Sequence, residues 1–202
     1  MKLKFAYLLM FFLVSIIITA VEIGLDSGFS SYRYAEKSVN NKDDLYTINS
    51  FVVGLDVSNY ISDRIKVSFF LGPQIPLSLY FQDAFGVDRD NYLFDLIFFG
   101  GNSRLGCEYN LINYKNIEFN AGLFIGYDVF YFKDGTVLNG DEYWFSTIGS
   151  GTNLQLISHI KDHLSLELNI VGSLNYINLP VRNGSLLWSN LFGGTIGFKY
   201  EF

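Results

Sequence analysis

Residues 192–202, FGGTIGFKYEF, alternate large apolar side chains with small or polar ones and end on an aromatic residue. Successive side chains of a β-strand point to opposite faces, so this stretch has one apolar and one polar face when extended. The apolar face carries Phe192, Ile196, Phe198, Tyr200 and Phe202, and the polar face carries Thr195, Lys199 and Glu201. The pattern predicts a strand in a wall with hydrocarbon on one side and water on the other.

The composition indicates a surface unlike that of a soluble protein. Charged residues make up 17% of the 202-residue chain and aromatic residues 18%, whereas charged residues are about 25% of a typical soluble domain. The net charge of −6 and the lack of clustered Lys and Arg argue against binding of nucleic acid. Cys107 is the one cysteine of the chain, so no intramolecular disulfide is possible.

The first 20 residues have the pattern of a secretory signal peptide. Lys2 and Lys4 precede an almost wholly apolar stretch over residues 5–18, and Thr19-Ala20 offers a small-residue cleavage site. A retained anchor helix is the alternative, because residues 5–21 nearly reach the lower limit of about 17 residues for a membrane span. We predict cleavage near Ala20, which leaves residues 21–202 as one domain.

Eight strand-like segments follow the predicted signal peptide. Apolar residues recur at every second position, β-branched and aromatic residues are frequent, and no window favours a helix. The segments cover approximately residues 21–34, 46–61, 64–81, 92–111, 116–132, 143–160, 164–177 and 189–202. Pro73 and Pro76 lie within the third segment and predict a bulge or bend there, because proline removes a hydrogen-bond donor from the ladder.

The connections between these segments alternate in length. Short polar turns are predicted at residues 62–63, 113–115 and 161–163, and longer loops at residues 35–45, 82–91, 133–142 and 178–188. Such alternation places the short turns at one end of an antiparallel barrel and the long loops at the other.

The closing alternation and terminal aromatic resemble the last strand of small bacterial outer-membrane β-barrels of the OmpA and OmpX type. The resemblance implies an all-β, eight-stranded antiparallel transmembrane barrel with up-and-down meander topology, located in the outer membrane after export. It also implies that Phe198, Tyr200 and Phe202 belong to an assembly signal for the barrel-assembly machinery. Outer-membrane lipid would surround the wall, and the barrel is expected to be a monomer.

Strand parity assigns a set of charged side chains to the lumen. This predicted polar network comprises Glu22, Asp26, Asp56, Lys66, Arg104, Glu108, Glu118, Asp128, Glu167, Lys199 and Glu201. An eight-stranded barrel is just wide enough for side chains to fill it, so these groups should pair with one another and plug the lumen. Lys66 and Arg104 are each expected to reach an acidic partner.

The other candidate sites favour a protein without catalytic, cofactor or metal chemistry. His159 and His163 flank a predicted short turn. Outer-membrane lipid-modifying enzymes of similar size carry their catalytic groups near the opposite, extracellular rim, so we interpret both histidines as solvated turn residues. Ser150 lies in an alternating strand and not in a nucleophile elbow. One cysteine and two histidines have no spacing typical of zinc. The sequence therefore predicts no enzyme, no cofactor and no metal site.

The predicted function is structural or surface interaction, in the manner of an adhesin or antigen, through the long loops. Residues 82–91 and 133–142 would meet an extracellular partner. Three alternatives remain: a narrow cation-preferring pore, an outer-membrane lipid-modifying enzyme, and a secreted lipocalin-like binding barrel with its apolar parity directed inward.

Overall fold

A computed structural model describes residues 22–37, 43–82, 88–91, 96–134, 142–179 and 186–202 of the chain. These residues form nine β-strands joined by tight turns and by the segments between the described ranges. The strands are β1 (Glu22–Lys37), β2 (Asp43–Ser62), β3 (Ile65–Gln82), β4 (Asp88–Asn91), β5 (Leu96–Tyr114), β6 (Ile117–Asp134), β7 (Glu142–Lys161), β8 (Leu164–Leu179) and β9 (Leu186–Glu201). The predicted signal peptide, 1–20, and the central parts of the four predicted loops lie outside the described residues.

The eight long strands form one closed antiparallel sheet. Each pairs with its neighbour in the sequence, β3 pairs with β5 across the short β4, and β1 pairs with β9. The β1–β9 seam runs from Glu22 opposite Glu201 to Glu36 opposite Leu186. The predicted fold, an eight-stranded antiparallel barrel with meander topology, is therefore confirmed.

The short strand β4 lies within a segment that the sequence predicts as a loop, 82–91. It pairs with the far end of β3, from Leu79 opposite Asn91 to Gln82 opposite Asp88. The β3–β5 pairing ends at Gln74, and β4 pairs with the last four residues of β3 beyond that point. The Asp-Arg-Asp-Asn sequence of β4 has no apolar alternation, which is why the pattern did not indicate a strand.

Three tight turns lie together at one rim, here called the turn end: Asp63–Arg64, Lys115–Asn116 and Asp162–His163. Backbone hydrogen bonds link neighbouring turns and strands, from Asn110 N to Arg64 O (2.8 Å) and from Glu201 N to His163 O (3.0 Å). The start of β1 and the end of β9 also lie at this rim. The opposite rim, here called the loop end, carries the long connections.

Strand β3 is continuous through both prolines, but its pairing with β2 is irregular around them. The register shifts where Asn49 pairs with Ser78 and Ser50 with Pro76, which leaves Leu77 as a bulge. Pairing is also interrupted between Val52 and Leu55, opposite Pro73. The predicted irregularity is therefore present, because a proline nitrogen cannot donate to the ladder.

The two faces of the wall differ in polarity. Apolar side chains such as Leu123 and Phe192 point outward and are 68% and 67% exposed, whereas Lys66 and Lys199 point inward and are each 1% exposed. This distribution is the reverse of the one expected for a lipocalin-like barrel, with its apolar interior. The wall is therefore built to contact hydrocarbon on the outside. Within the described ranges, no helix is long and apolar enough to cross a membrane.

An aromatic and aliphatic layer fills the lumen on the loop side of the charged residues. Tyr32, Ile48 and Phe130 have no exposed surface. The Tyr32 and Phe130 rings contact each other with centroids 5.2 Å apart, and Tyr32 Oη donates to Thr147 Oγ1 (3.1 Å). Strand β1 thus contacts β6 and β7 across the lumen, as expected of a narrow barrel filled by side chains.

Candidate functional site

The candidate site is the set of charged side chains that the parity of the strands assigned to the lumen. Nine of the eleven predicted residues are buried: Glu22, Asp26, Asp56, Lys66, Glu108, Glu118, Asp128, Glu167 and Lys199. Arg104 is partly buried, and Glu201 is exposed at the turn end. Glu201 therefore lies outside the network, because it ends β9 at the rim and no wall extends beyond it.

Two buried lysines form the centre of the network. Lys199 Nζ lies 2.6 Å from Asp56 Oδ1 and 2.7 Å from Glu167 Oε2. Lys66 Nζ lies 2.7 Å from Glu22 Oε2 and 3.9 Å from Glu167 Oε2, so Glu167 links the two lysines. Removal of an ion from water costs several kcal/mol, and the close pairing offsets that cost.

Asp26 is buried beside this centre but has no ion-pair or hydrogen-bond partner among the described residues. Its side chain is 1% exposed and both carboxylate oxygens lack a hydrogen bond. Gly197 on β9 lies directly against it, and a Cβ atom at position 197 would collide with Asp26 Oδ1. The absent side chain of Gly197 therefore provides the space that Asp26 occupies.

Glu108 forms a second cluster that involves three strands. Ser68 Oγ donates to Glu108 Oε1 (2.6 Å), and Asn153 Nδ2 donates to the same oxygen (2.8 Å). The other carboxylate oxygen, Oε2, has no hydrogen-bond partner among the described residues. One side of this carboxylate is therefore satisfied by neutral donors, and the other side is free.

Asp128 and Arg104 are joined through an amide. Asn102 Nδ2 and Gln74 Nε2 donate to Asp128 Oδ1, the latter at 3.0 Å. Arg104 Nε donates to Asn102 Oδ1 (2.8 Å), and its guanidinium lies over the Phe70 ring, 4.4 Å from the centroid. Lys66 thus reaches acids directly, as expected, whereas the hydrogen bond of Arg104 goes to the amide that also binds Asp128.

Glu118 occupies the lumen near the turn end. Tyr60 Oη donates to Glu118 Oε2 (2.7 Å), Asn110 Nδ2 donates to the same oxygen (3.3 Å), and His159 Nε2 lies 2.9 Å from Oε1. His163 is exposed in its turn, as predicted. The interpretation of His159 as a solvated turn residue is wrong, because β7 continues to Lys161 and directs the His159 side chain inward.

The predicted assembly-signal residues and Cys107 lie on the outer surface of the barrel. Phe198, Tyr200 and Phe202 all project outward, and the Tyr200 and Phe202 rings meet edge to face at 5.1 Å. Cys107 is a free thiol on the same outer face. At the turn end, Arg64 Nη1 donates to Tyr109 Oη (3.0 Å), and this hydrogen bond raises the pKa of Arg64.

The network contains more negative than positive groups. Among the inward side chains that the structure describes, seven are carboxylates and three are Lys or Arg, with His159 as a fourth basic group. A buried carboxylate that has no cation beside it must bind a proton or an ion, or pay a large desolvation cost. The arrangement can therefore hold protons or small cations. No group of three or more His, Cys, Asp or Glu side chains in the described ranges is arranged for a metal.

Sequence reasoning missed the neutral partners that bind these charges. Ser58, Ser68, Gln74, Asn102 and Asn153 are all buried and donate to a lumen carboxylate. Each lies on the same strand parity as the charged residues, so the signal was present. The carboxylate that each of these donors binds depends on which strands face each other across the lumen. Spacing along the chain does not contain that information.

Comparison with known proteins supports the fold. No family model matches the sequence, and no curated protein matches it. Solved structures that are similar to the described barrel include the following three. OprG, an outer-membrane protein from Pseudomonas aeruginosa, matches with a TM-score of 0.61 and 14% identity over 91% of this chain and 97% of its own.

The chain has the fold of a small bacterial outer-membrane β-barrel. Neisserial surface protein A is similar to this barrel with a TM-score of 0.58 and 11% identity, over 90% of this chain and 96% of that one. The outer-membrane protein AlkL, solved in DMPC lipid bilayers, matches with a TM-score of 0.56 and 17% identity over 91% of each chain. At these identities, the likeness concerns the architecture of the barrel.

Proposed function

We propose that the chain is an outer-membrane protein with a sealed, non-catalytic barrel, and that its long loops interact with partners outside the cell. The observation that carries this proposal is the filled lumen. Lys66, Lys199, Tyr32 and Phe130 are all buried inside the wall. A lumen occupied by paired charges and packed rings has no room for a substrate, so the exposed loops are the part that remains free to act.

The outer face supports the location in the membrane. Apolar side chains on every long strand are exposed to the surroundings, and an Arg or Lys directed toward the bilayer centre would cost about 2 to 4 kcal/mol. Two lysines of the wall strands, Lys66 and Lys199, instead point into the lumen and are buried there. With the turn end in the periplasm, the long loops face outward, and Phe198, Tyr200 and Phe202 lie where the assembly machinery would contact a nascent barrel.

The environment of His159 supports a non-catalytic role. The imidazole pairs with Glu118, which already accepts hydrogen bonds from Tyr60 and Asn110. These partners offer no serine or cysteine nucleophile, and they lie at the turn end, away from the lipid leaflet that would face the cell exterior. The pair therefore fits a structural closure of the periplasmic mouth.

Trimming of two loops tests the interaction role. Replacement of residues 83–87 and 135–141 with short Gly-Ser connections leaves β4 and all eight wall strands intact. We expect cells that display the trimmed protein to lose adherence to host-cell monolayers or to abiotic surfaces. A shift in gel migration on boiling of the variant would confirm that its barrel is folded.

The matched control replaces residues 38–42, which belong to another loop and join the paired ends of β1 and β2, with a Gly-Ser connection of the same kind. This control should adhere like the parent. If the variant trimmed at 83–87 and 135–141 also adheres like the parent while it folds normally, these loops have no interaction role. A purely structural function would then be favoured.

A further inference from the structure

A small cavity lies inside the lumen beside Glu108. It has a volume of about 20 Å³, and its wall includes Asp56, Ser68, Arg104, Glu108, Asn153 and Asn169. About 10 to 15 Å³ of such space is enough for one water molecule. The cavity therefore has room for one water molecule or one small ion. It lies between strands β2, β3, β5, β6, β7 and β8.

Three oxygen atoms of the residues around this cavity have neither a hydrogen-bond nor an ion-pair partner among the described residues, whereas Asp56 Oδ1 pairs with Lys199. They are Glu108 Oε2, Asn153 Oδ1 and Asn169 Oδ1. Their side chains belong to residues that are 1%, 5% and 9% exposed, so bulk water does not satisfy them. All three atoms are acceptors. An occupant must therefore be a hydrogen-bond donor or a cation, and the burial of the group makes an empty site costly.

The positive groups near the cavity are already engaged. Lys199 pairs with Asp56 and Glu167, and Lys66 pairs with Glu22. Arg104 donates from Nε to Asn102, and its guanidinium lies over Phe70. Glu108 thus receives hydrogen bonds from neutral donors only, and the lumen as a whole has four more carboxylates than Lys and Arg side chains in the described ranges.

We propose that this cavity binds one small monovalent cation, of the size of Na⁺ or K⁺. Glu108 supplies the charge, and the amide oxygens of Asn153 and Asn169 supply neutral ligands. Hard cations prefer oxygen ligands of this kind. A Ca²⁺ ion would need about six to eight oxygens, whereas the site offers one carboxylate that is not already in an ion pair. The negative excess of the lumen favours a cation over a neutral water molecule.

Thermal unfolding of the detergent-solubilised protein tests this proposal. The midpoint of the boiling-dependent gel shift is measured in NaCl, KCl and choline chloride at equal ionic strength. Choline is too large for the cavity and controls for general screening. We expect a midpoint several degrees higher in NaCl or KCl than in choline chloride, with a dependence on cation concentration, because a ligand that binds only the folded state stabilises it.

Two variants that each remove one carboxylate test whether the stabilisation by Na⁺ or K⁺ arises at Glu108. Glu108→Gln should fold but lose the difference between Na⁺ or K⁺ and choline. Glu118→Gln removes the same charge near the turn end and should retain that difference. Equal midpoints in all three salts for the parent would overturn the proposal, in favour of a proton or a water molecule at Glu108. Retention of the difference by Glu108→Gln would overturn it as well.

A direct measurement covers the case in which Glu108→Gln does not fold. Crystals of the parent protein are soaked in Tl⁺, a monovalent cation with strong anomalous scattering. An anomalous peak within coordination distance of Glu108 Oε2 supports the site. A map with Tl⁺ peaks only on the outside of the barrel contradicts it.

Discussion

Lys199 is a buried cation that binds two acidic side chains from different strands. Its ammonium contacts Asp56 on β2 and Glu167 on β8. These two strands flank the β1–β9 pair in the sheet. The same lysine on the outer face would meet lipid. Inside the lumen, this lysine instead connects β2 with β8, two strands that share no backbone hydrogen bonds.

Replacement of Lys199 tests this role. Lys199→Met retains the length of the side chain but leaves Asp56 and Glu167 without their common cation. Removal of one partner of a buried ion pair costs about 3 to 5 kcal/mol, so we expect a loss of that order in the free energy of unfolding, measured by urea titration in lipid. Lys161→Met, at an exposed position, is the control and should change the free energy by less than about 0.5 kcal/mol. Equal stability of the two variants would show that the ion pairs of Lys199 contribute nothing.

The sequence predicted which side chains face the lumen, but it did not predict which of them contact one another. Strand parity assigned Lys66, Lys199 and their acidic neighbours to the lumen, because alternation needs only local information. The partners of each lysine depend on the shear and the diameter of the closed barrel. For the same reason, the amide between Arg104 and Asp128 and the Glu118–His159 contact became visible only in the structure.

The eight long strands could be predicted from the sequence, but the residues at which they end could not. The eight wall strands contain sustained alternation, which survives errors of a few residues at either end. By contrast, β4 has only charged and amide side chains, and it forms because β3 extends beyond its pairing with β5. His159 was interpreted as a solvated turn residue because it lies at the end of its predicted strand, whereas β7 continues to Lys161 and places His159 beside Glu118.

The β1–β9 seam is the element-level feature most sensitive to side-chain size. Gly28 on β1 lies against β9 so closely that a Cβ atom would collide with Gly194 O and approach Thr195 Cα to 2.6 Å. We expect Gly28→Ala to destabilise the barrel by about 1 to 3 kcal/mol, because backbone atoms cannot move aside as a flexible side chain can. The boiling-dependent gel shift, recorded over a temperature series, measures the change.

Gly172→Ala provides the matched control for the seam. A Cβ atom at position 172 would meet nothing within 4 Å, and alanine is favoured over glycine in a strand interior by about 0.5 to 1 kcal/mol. This variant should therefore unfold at the parent temperature or slightly above it. A Gly28→Ala barrel that matches Gly172→Ala would contradict the tight seam.

The charged network and the aromatic layer together predict a barrel without a conducting path. Lys66 and Lys199 obstruct the lumen toward the turn end, and Tyr32 and Phe130 obstruct it toward the loop end. In planar bilayers, we expect no current steps above baseline, with a general porin inserted in parallel as the positive control. Regular steps with a preference for cations would instead support the narrow pore and reject the sealed barrel.

The seam between β1 and β9 also has a consequence for the order of events during folding. Glu22 pairs with Glu201, so the last ladder of the wall joins residues from opposite ends of the described chain. Seven of the eight ladders between long strands can form between sequence neighbours, but the eighth must wait until β9 has been delivered. Contacts of such large sequence separation form slowly. Until the β1–β9 ladder forms, β1 and β9 each present an unpaired edge, and an open sheet edge in hydrocarbon is too costly to persist without a partner. Closure is therefore a late, all-or-none step, and an incomplete chain that lacks β9 would remain a sheet with two reactive edges.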